Sequence, residues 1–165
     1  MADVNNSKLF QNIEDIRQLK DVLVVLVKTE WNSAVVDELE NGCKKVFGQY
    51  GIASDTIVVP GAIEIPFAIR QYWSHNNTPL AFIALGCIVR GGTPHFDYVC
   101  QSVTHGITEL NLSIEVPVVF GVLTVDNMDQ ANERIGGAHG HKGEEAAITA
   151  IKMMILNQQL KEGKN

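Results

Sequence analysis

Long apolar runs are absent from this 165-residue chain. No segment reaches the roughly 18 apolar residues of a membrane span, so no membrane partner is expected. Positive charge is scarce as well: 13 Lys and Arg face 19 Asp and Glu, for a net charge of -6 and a pI near 5.3. A nucleic-acid surface needs a basic face, and this composition argues against one. Cysteine is limited to Cys43, Cys87 and Cys100, an odd number without close metal-ligand spacing, which reads as reduced, mostly buried thiols of a cytosolic protein. His139 and His141 share a glycine-rich stretch without a carboxylate in metal-ligand register, so no metal site is expected. The opening MADVNNSKLFQNIEDIRQ holds acids and amides but no apolar core, so it is not read as a signal peptide and a cytoplasmic location is expected.

What is present is a 45% hydrophobic chain, enough for one well-filled domain. Residues 21–27 (DVLVVLV) form a continuous apolar run of strand length, and residues 56–59, 80–89 and 117–123 repeat the pattern. Helical spacing fills the gaps. Val35/Val36, Leu39, Cys43 and Val46/Phe47 make one helix, closed by Gly48 and Gly51. A second starts near Ile65 with Pro66 in its first turn, and Val99, Val103, Ile107, Leu110 and Ile114 stripe a third. A short helix is expected near residues 128–135, then a glycine-rich link, then a last helix with Ile148, Ile151 and Ile155 on one face. Apolar strands alternating with amphipathic helices predict an α/β fold: one doubly wound sandwich with four parallel core strands and right-handed crossovers. Leu9, Phe10, Ile13, Ile16 and Leu19 fall outside that core and predict packing on something else.

Ligands of open parallel sheets sit at the carboxyl ends of the strands, where KTEWN (28–32), PGAIE (60–64), VRGGTPH (89–95) and TVDN (124–127) should converge. Gly91-Gly92-Thr93 before a helix start can admit an anion to backbone N–H groups, although paired glycines often mark only a bend. Neither a P-loop nor GxGxxG is present. Arg134 and Lys142 flank a second glycine-rich link and can complete a phosphate clamp, or be solvated charges near helix ends. His95 at a helix start suits proton transfer or simple capping, and His75, His105, His139 and His141 read as surface or capping residues. Trp31 can stack on a flat ring or pack on the next helix, and Glu64 can accept from a polyol or amine or complement a helix dipole.

Together these features resemble the lumazine synthase family, the penultimate enzymes of riboflavin biosynthesis. The blocks VVPGAIEIPFA (58–68), ALGCIVRGGTPHFDYVCQSVTHGI (84–107) and VPVVFGVLTVDNMDQANERIGGAHGHKGEEAA (116–147) carry the resemblance, in order and at the family's spacing. It runs from about residue 20 to 154. It implies a flavodoxin-like three-layer α/β/α domain over residues 20–161, preceded by an arm of residues 1–19 engaged in subunit contact. The implied reaction joins 5-amino-6-(D-ribitylamino)uracil to 3,4-dihydroxy-2-butanone 4-phosphate, without cofactor or metal, giving 6,7-dimethyl-8-ribityllumazine, phosphate and water.

The resemblance also implies roles for single residues. Trp31 takes the place of an aromatic, usually phenylalanine, that stacks on the pyrimidine. Ala62, Ile63 and Glu64 hold the ring edge and ribityl chain, with Ile63 where an aromatic is frequent. The backbone of Cys87, Ile88 and Val89 reads the pyrimidinedione. Gly92 and Thr93, with Arg134 and Lys142, bind phosphate, and His95 transfers protons. Phe120 reaches a neighbouring subunit's pocket. Members form pentamers, pairs of pentamers or sixty-subunit icosahedral shells, and the uninterrupted IGGAHGH link favours the shell. Riboflavin synthase is the implied partner protein. The rival expectations are a non-catalytic flavodoxin-like module holding a flavin or nucleotide at residues 91–93, and a shell protein that has lost catalysis. Loss of His95 or Arg134 would mark the latter, and both are present.

Overall fold

The computed structural model describes residues 7–11 and 22–163. Four strands, β1 (Leu23–Thr29), β2 (Ala53–Val59), β3 (Ala81–Val89) and β4 (Val118–Val125), form one parallel sheet in the order β2-β1-β3-β4. The register pairs Leu23 with Ala53, Val24 with Ala81 and Phe82 with Val118. Helices α1 (Ser33–Tyr50), α2 (Ile65–His75), α3 (His95–Ser113) and α5 (Lys142–Lys161) cover it, with a short α4 (Met128–Asn132) before the last. The expected α/β layer sandwich is what forms.

Alternation along the strands divides the core in two. Val24 and Leu26 turn to one face and pack with α1 and α5 through Leu39, Cys43, Phe47, Ile148 and Ile151. Val25 and Val27 turn to the other and pack with α2 and α3 through Ile65, Ile69, Val103, Ile107 and Leu110. Full burial of such side chains stabilises by about 1.5–3 kcal/mol each before chain entropy is charged against it. A strand buried on both faces has no polar side to show, which is why β1 and β3 read as unbroken apolar runs.

Several boundaries differ from the sequence expectation: β1 and β4 end two residues later than their apolar runs, and the short α4 stops at Asn132 instead of near residue 135. Strand β2 starts at Ala53, ahead of its apolar run, because an edge strand with one open side tolerates Ser54 and Asp55. Helix α1 runs through Gly48 to Tyr50. Gly51 alone ends it, in the left-handed conformation (φ 67°) with its N–H on the Phe47 carbonyl. The glycine-rich link is a small antiparallel hairpin, β5 (Ile135–Gly137) and β6 (Gly140–His141), because Gly136 and Gly140 supply the positive φ that a tight reversal needs.

Near the amino terminus, Lys152 Nζ donates to the carbonyls of Lys8 and Gln11, and Leu9 packs on the α1–α5 core. This part of the segment therefore touches its own chain. Ile13, Ile16 and Leu19 lie outside the described residues.

Candidate active site

Each strand delivers its carboxyl end to the same edge of the sheet, and the first three build a cavity of about 400 Å³ there. From the turn after β1 come Thr29, Trp31 and Asn32. The turn after β2 contributes Gly61 and a single 3-10 turn, Ala62–Glu64, and the end of β3 contributes Cys87, Ile88 and Val89. His95 and Val99 close it from the first turns of α3. Eight residues expected from the sequence meet in this one cavity: Trp31, Ala62, Ile63, Glu64, Cys87, Ile88, Val89 and His95.

Local chemistry explains the geometry. Trp31 is 73% exposed, so its ring is offered to the cavity instead of being used in the core. Beneath it the buried Thr29 donates through Oγ1 to the Trp31 carbonyl at 3.2 Å. Gly61 leaves room on the other side, since a Cβ there would stand 2.9 Å from Glu64 Oε2 and 3.6 Å from Trp31 Cδ1. Asn32 takes the left-handed conformation (φ 55°), which asparagine tolerates, and its Nδ2 donates to the Cys87 carbonyl at 2.7 Å. That bond joins the loop after β1 to the end of β3. Neither Asn32 nor Thr29 stands out as a site residue in the sequence. The visible signal was an amide directly after the tryptophan in KTEWN.

Burial pushes the Cys87 thiol up to about 11, so it stays protonated and has no nucleophilic character at neutral pH. What Cys87 offers the cavity is backbone and a small apolar side chain. His95 is exposed at the first position of α3, and its backbone N–H donates to Thr93 Oγ1 at 3.4 Å. Gly91, Gly92 and Thr93 are exposed beside it, and a Cβ on either glycine would meet nothing within 4 Å. The loop is therefore open to a ligand, as an anion-binding backbone must be.

The remaining expected residues are not brought to this cavity within one chain. Arg134 is half-buried before the β5–β6 hairpin and donates through Nη1 to the Gln130 carbonyl at 2.6 Å. Lys142 is buried at the start of α5, with Nζ paired to both carboxylate oxygens of Glu145 at 2.7 and 2.8 Å. Neither residue lines the His95 cavity, and each is held by a partner on its own element or the one before it. Phe120, 40% exposed on edge strand β4, shares with Lys142 and Leu9 a different groove of about 520 Å³. Among the described residues no group of three metal-ligating side chains is gathered, and no helix is long and apolar enough to cross a membrane.

Fold and site together define an α/β sandwich protein with a cavity of small-molecule size at the carboxyl ends of its first three strands. A family model described as 6,7-dimethyl-8-ribityllumazine synthase matches residues 21–158. The chain belongs to that family. It is 47% identical to the 6,7-dimethyl-8-ribityllumazine synthase of Porphyromonas gingivalis over 142 residues, 84% of this chain and 88% of that protein. The proteins of the same name from Parabacteroides distasonis and Flavobacterium johnsoniae are 43% and 38% identical. They are matched over 88% and 96% of this chain and 90% and 85% of their own lengths.

Proposed function

We propose that this enzyme condenses 5-amino-6-(D-ribitylamino)uracil with 3,4-dihydroxy-2-butanone 4-phosphate to give 6,7-dimethyl-8-ribityllumazine, phosphate and water, in riboflavin biosynthesis. The observation that carries the reading is one cavity in which an exposed Trp31, the Ala62–Glu64 turn, the end of β3 and His95 meet beside an open glycine loop.

Trp31 stacks on the pyrimidine, the backbone of Cys87, Ile88 and Val89 reads its dione edge, and Ala62, Ile63 and Glu64 hold the ring edge and ribityl chain. Phosphate lies on Gly92 and Thr93, with Arg134 and Lys142 contributing positive charge. The 5-amino group attacks the ketone, and the carbinolamine loses water to an imine. Phosphate leaves by elimination, and the second amine adds to the carbonyl that remains and loses a second water, closing the ring. His95 accepts and returns protons through these steps. The larger part of the acceleration comes from holding two reactants in near-attack geometry.

The placement of Phe120 and Lys142 in a groove along β4, apart from the His95 cavity, supports a site completed between subunits. The reading is a pentamer in which Phe120 enters the adjacent pocket. In this reading the arm of residues 1–19, beyond its own-chain contact at Leu9, pairs with a neighbour's sheet edge, ahead of the catalytic domain of residues 20–161. Twelve such rings close a sixty-subunit shell. The protein acts in the cytoplasm, with riboflavin synthase consuming its product.

Mixing purified protein with the two substrates and following lumazine absorbance and fluorescence tests the reaction. A yellow, reducible protein inert toward the diamine would instead identify a flavin-binding module. Sedimentation tests the assembly: with an 18.1 kDa chain, a species on the order of one megadalton supports the shell. An active monomer would overturn the shared site.

A further inference from the structure

The loop that receives phosphate in the proposed reaction is tied at its ends, where Arg90 N–H meets the Val125 carbonyl and Thr93 Oγ1 accepts from His95 N–H, and its two glycines are open. Gly91 and Gly92 have open space where a Cβ would stand. Two glycines in such a loop carry a large conformational entropy, and backbone N–H groups bind an anion well only when already aimed. Something must therefore hold the loop's ends in register.

We infer that Arg90 is the positioning residue for this loop, an inference that rests on the reaction proposed above. Its backbone N–H donates to the Val125 carbonyl at 2.9 Å, which ties the start of the loop to the end of β4. Its side chain folds forward to the other end of the loop. There the guanidinium carbon lies 4.1 Å from the ring centroid of Phe96, and Nη2 and Nη1 donate to the two oxygens of Asp97 at 3.2 and 3.4 Å. Nε donates to Asp126 Oδ1 at 2.9 Å. One planar group thus joins the end of β3, the first turn of α3 and the segment after β4.

The same contacts extend toward the second cation. The Asp126 N–H donates to Gln130 Oε1 at 2.9 Å, and the Gln130 carbonyl accepts from Arg134 Nη1 at 2.6 Å. A continuous polar chain therefore runs from Asp97 through Arg90, Asp126 and Gln130 to Arg134. Ion pairs this exposed add little to folding, so global stability does not account for the arrangement. The arrangement also requires arginine: a fork with one flat face can stack on Phe96 while pairing two carboxylates, whereas an ammonium is a point charge.

The test is Arg90→Lys in the purified full-length protein, with steady-state kinetics on both substrates and inorganic phosphate as competitor. KM for the phosphorylated ketone and the inhibition constant of phosphate should rise together, about tenfold. KM for the ribitylamino-uracil should stay unchanged, and the thermal midpoint should shift by less than ~2 °C. Asp126→Asn should raise the same two constants less, and adding it to Arg90→Lys should raise them no further. Unchanged constants would overturn the inference, as would equal losses on both substrates with a lowered midpoint. If the wild-type protein made no lumazine, the reaction would fall on its own. Calorimetry with inorganic phosphate would still decide the loop, by tenfold weaker binding in the variant or equal binding.

Discussion

Gly42 and Gly143 lie on the seam between α1 and α5, while Gly91 and Gly92 lie in the loop after β3, and the two pairs are glycine for opposite reasons. On the seam there is no room. A Cβ on Gly143 would overlap the Leu39 backbone, and one on Gly42 would overlap the His141 imidazole. The close approach lets Cys43 Sγ reach the Gly143 carbonyl at 3.1 Å, and burial pushes that thiol up to about 12. In the loop there is nothing but room. One pair lets two helices touch, and the other leaves backbone uncovered for a ligand. The comparison teaches that the α1–α5 face is a packed support, and that the carboxyl end of the sheet is the part free to do chemistry.

The sharpest way to break this contrast is Gly143→Ala. The Leu39 backbone cannot move aside as a side chain can, so the substitution should cost about 3 kcal/mol and lower the thermal midpoint by about 6–12 °C. Calorimetry reads the loss, and an unchanged midpoint would show that the seam yields.

At the open end, His95→Ala should lower kcat by about 10²-fold, the low end for acid–base help, with KM values and the thermal midpoint nearly constant. Steady-state rates that did not change would remove His95 from the mechanism.

Arg134→Ala should raise KM for the phosphorylated ketone alone, by about 10-fold or more, for the loss of a charge-assisted hydrogen bond of about 1.5–3 kcal/mol. Binding isotherms showing equal losses for both substrates would make Arg134 a structural residue.

The support face has its own charged cluster. Burial pushes the Glu40 carboxyl up, but hydrogen bonds from Lys28, Lys44 and Thr56 outweigh this and hold it at about 2 against an ordinary 4.5. Lys28 Nζ stands 2.5 Å, Lys44 Nζ 2.6 Å and Thr56 Oγ1 2.6 Å from its oxygens. A depressed carboxylate stabilises the fold above its unfolded value, and that contribution disappears as pH falls through the folded one. Glu40→Gln should therefore cost about 1–2 kcal/mol near neutral pH and show a shallower loss of stability between about pH 5 and pH 2. Urea melts across that window check the slope, and parallel curves for both proteins would count against it.

The smallest effect is expected for Gly91→Ala, which has space for its Cβ and no positive φ to strain it. Stability should stay within about 0.5 kcal/mol. A large drop would mean that the loop is packed in the assembled protein, and the contrast between the two glycine pairs would fail.

Much of the fold was legible in the chain because its signals are local. Residues 21–27 and 80–89 read as buried strands from their apolar runs alone, and the stripes through Leu39, Cys43 and Phe47 and through Val103, Ile107 and Leu110 named the helix faces that are buried. The edge strand β2 reads short because Ser54 and Asp55 interrupt the apolar pattern, although a half-buried serine and an exposed aspartate are tolerated at a sheet edge. Trp31, Glu64 and His95 are recognisable as site candidates since each follows a strand and carries chemistry a core does not need, whereas Ala62, Ile63 and Cys87–Val89, the last inside β3, are marked only by the family resemblance.

By itself, then, the sequence determined the alternation of strands and helices, the parallel sheet, and the loops that carry the candidate site. These depend on the period of side chains along the chain and on the conformations that glycine and proline allow. Only the tertiary structure decided that Asn32 reaches the Cys87 carbonyl across 55 residues, and that the IGGAHGH link folds as a hairpin against Gly42. It alone separated Lys142 and Phe120 from the cavity that His95 lines. Contacts between distant segments are set by strand register and helix crossing, and no local pattern of side chains encodes either.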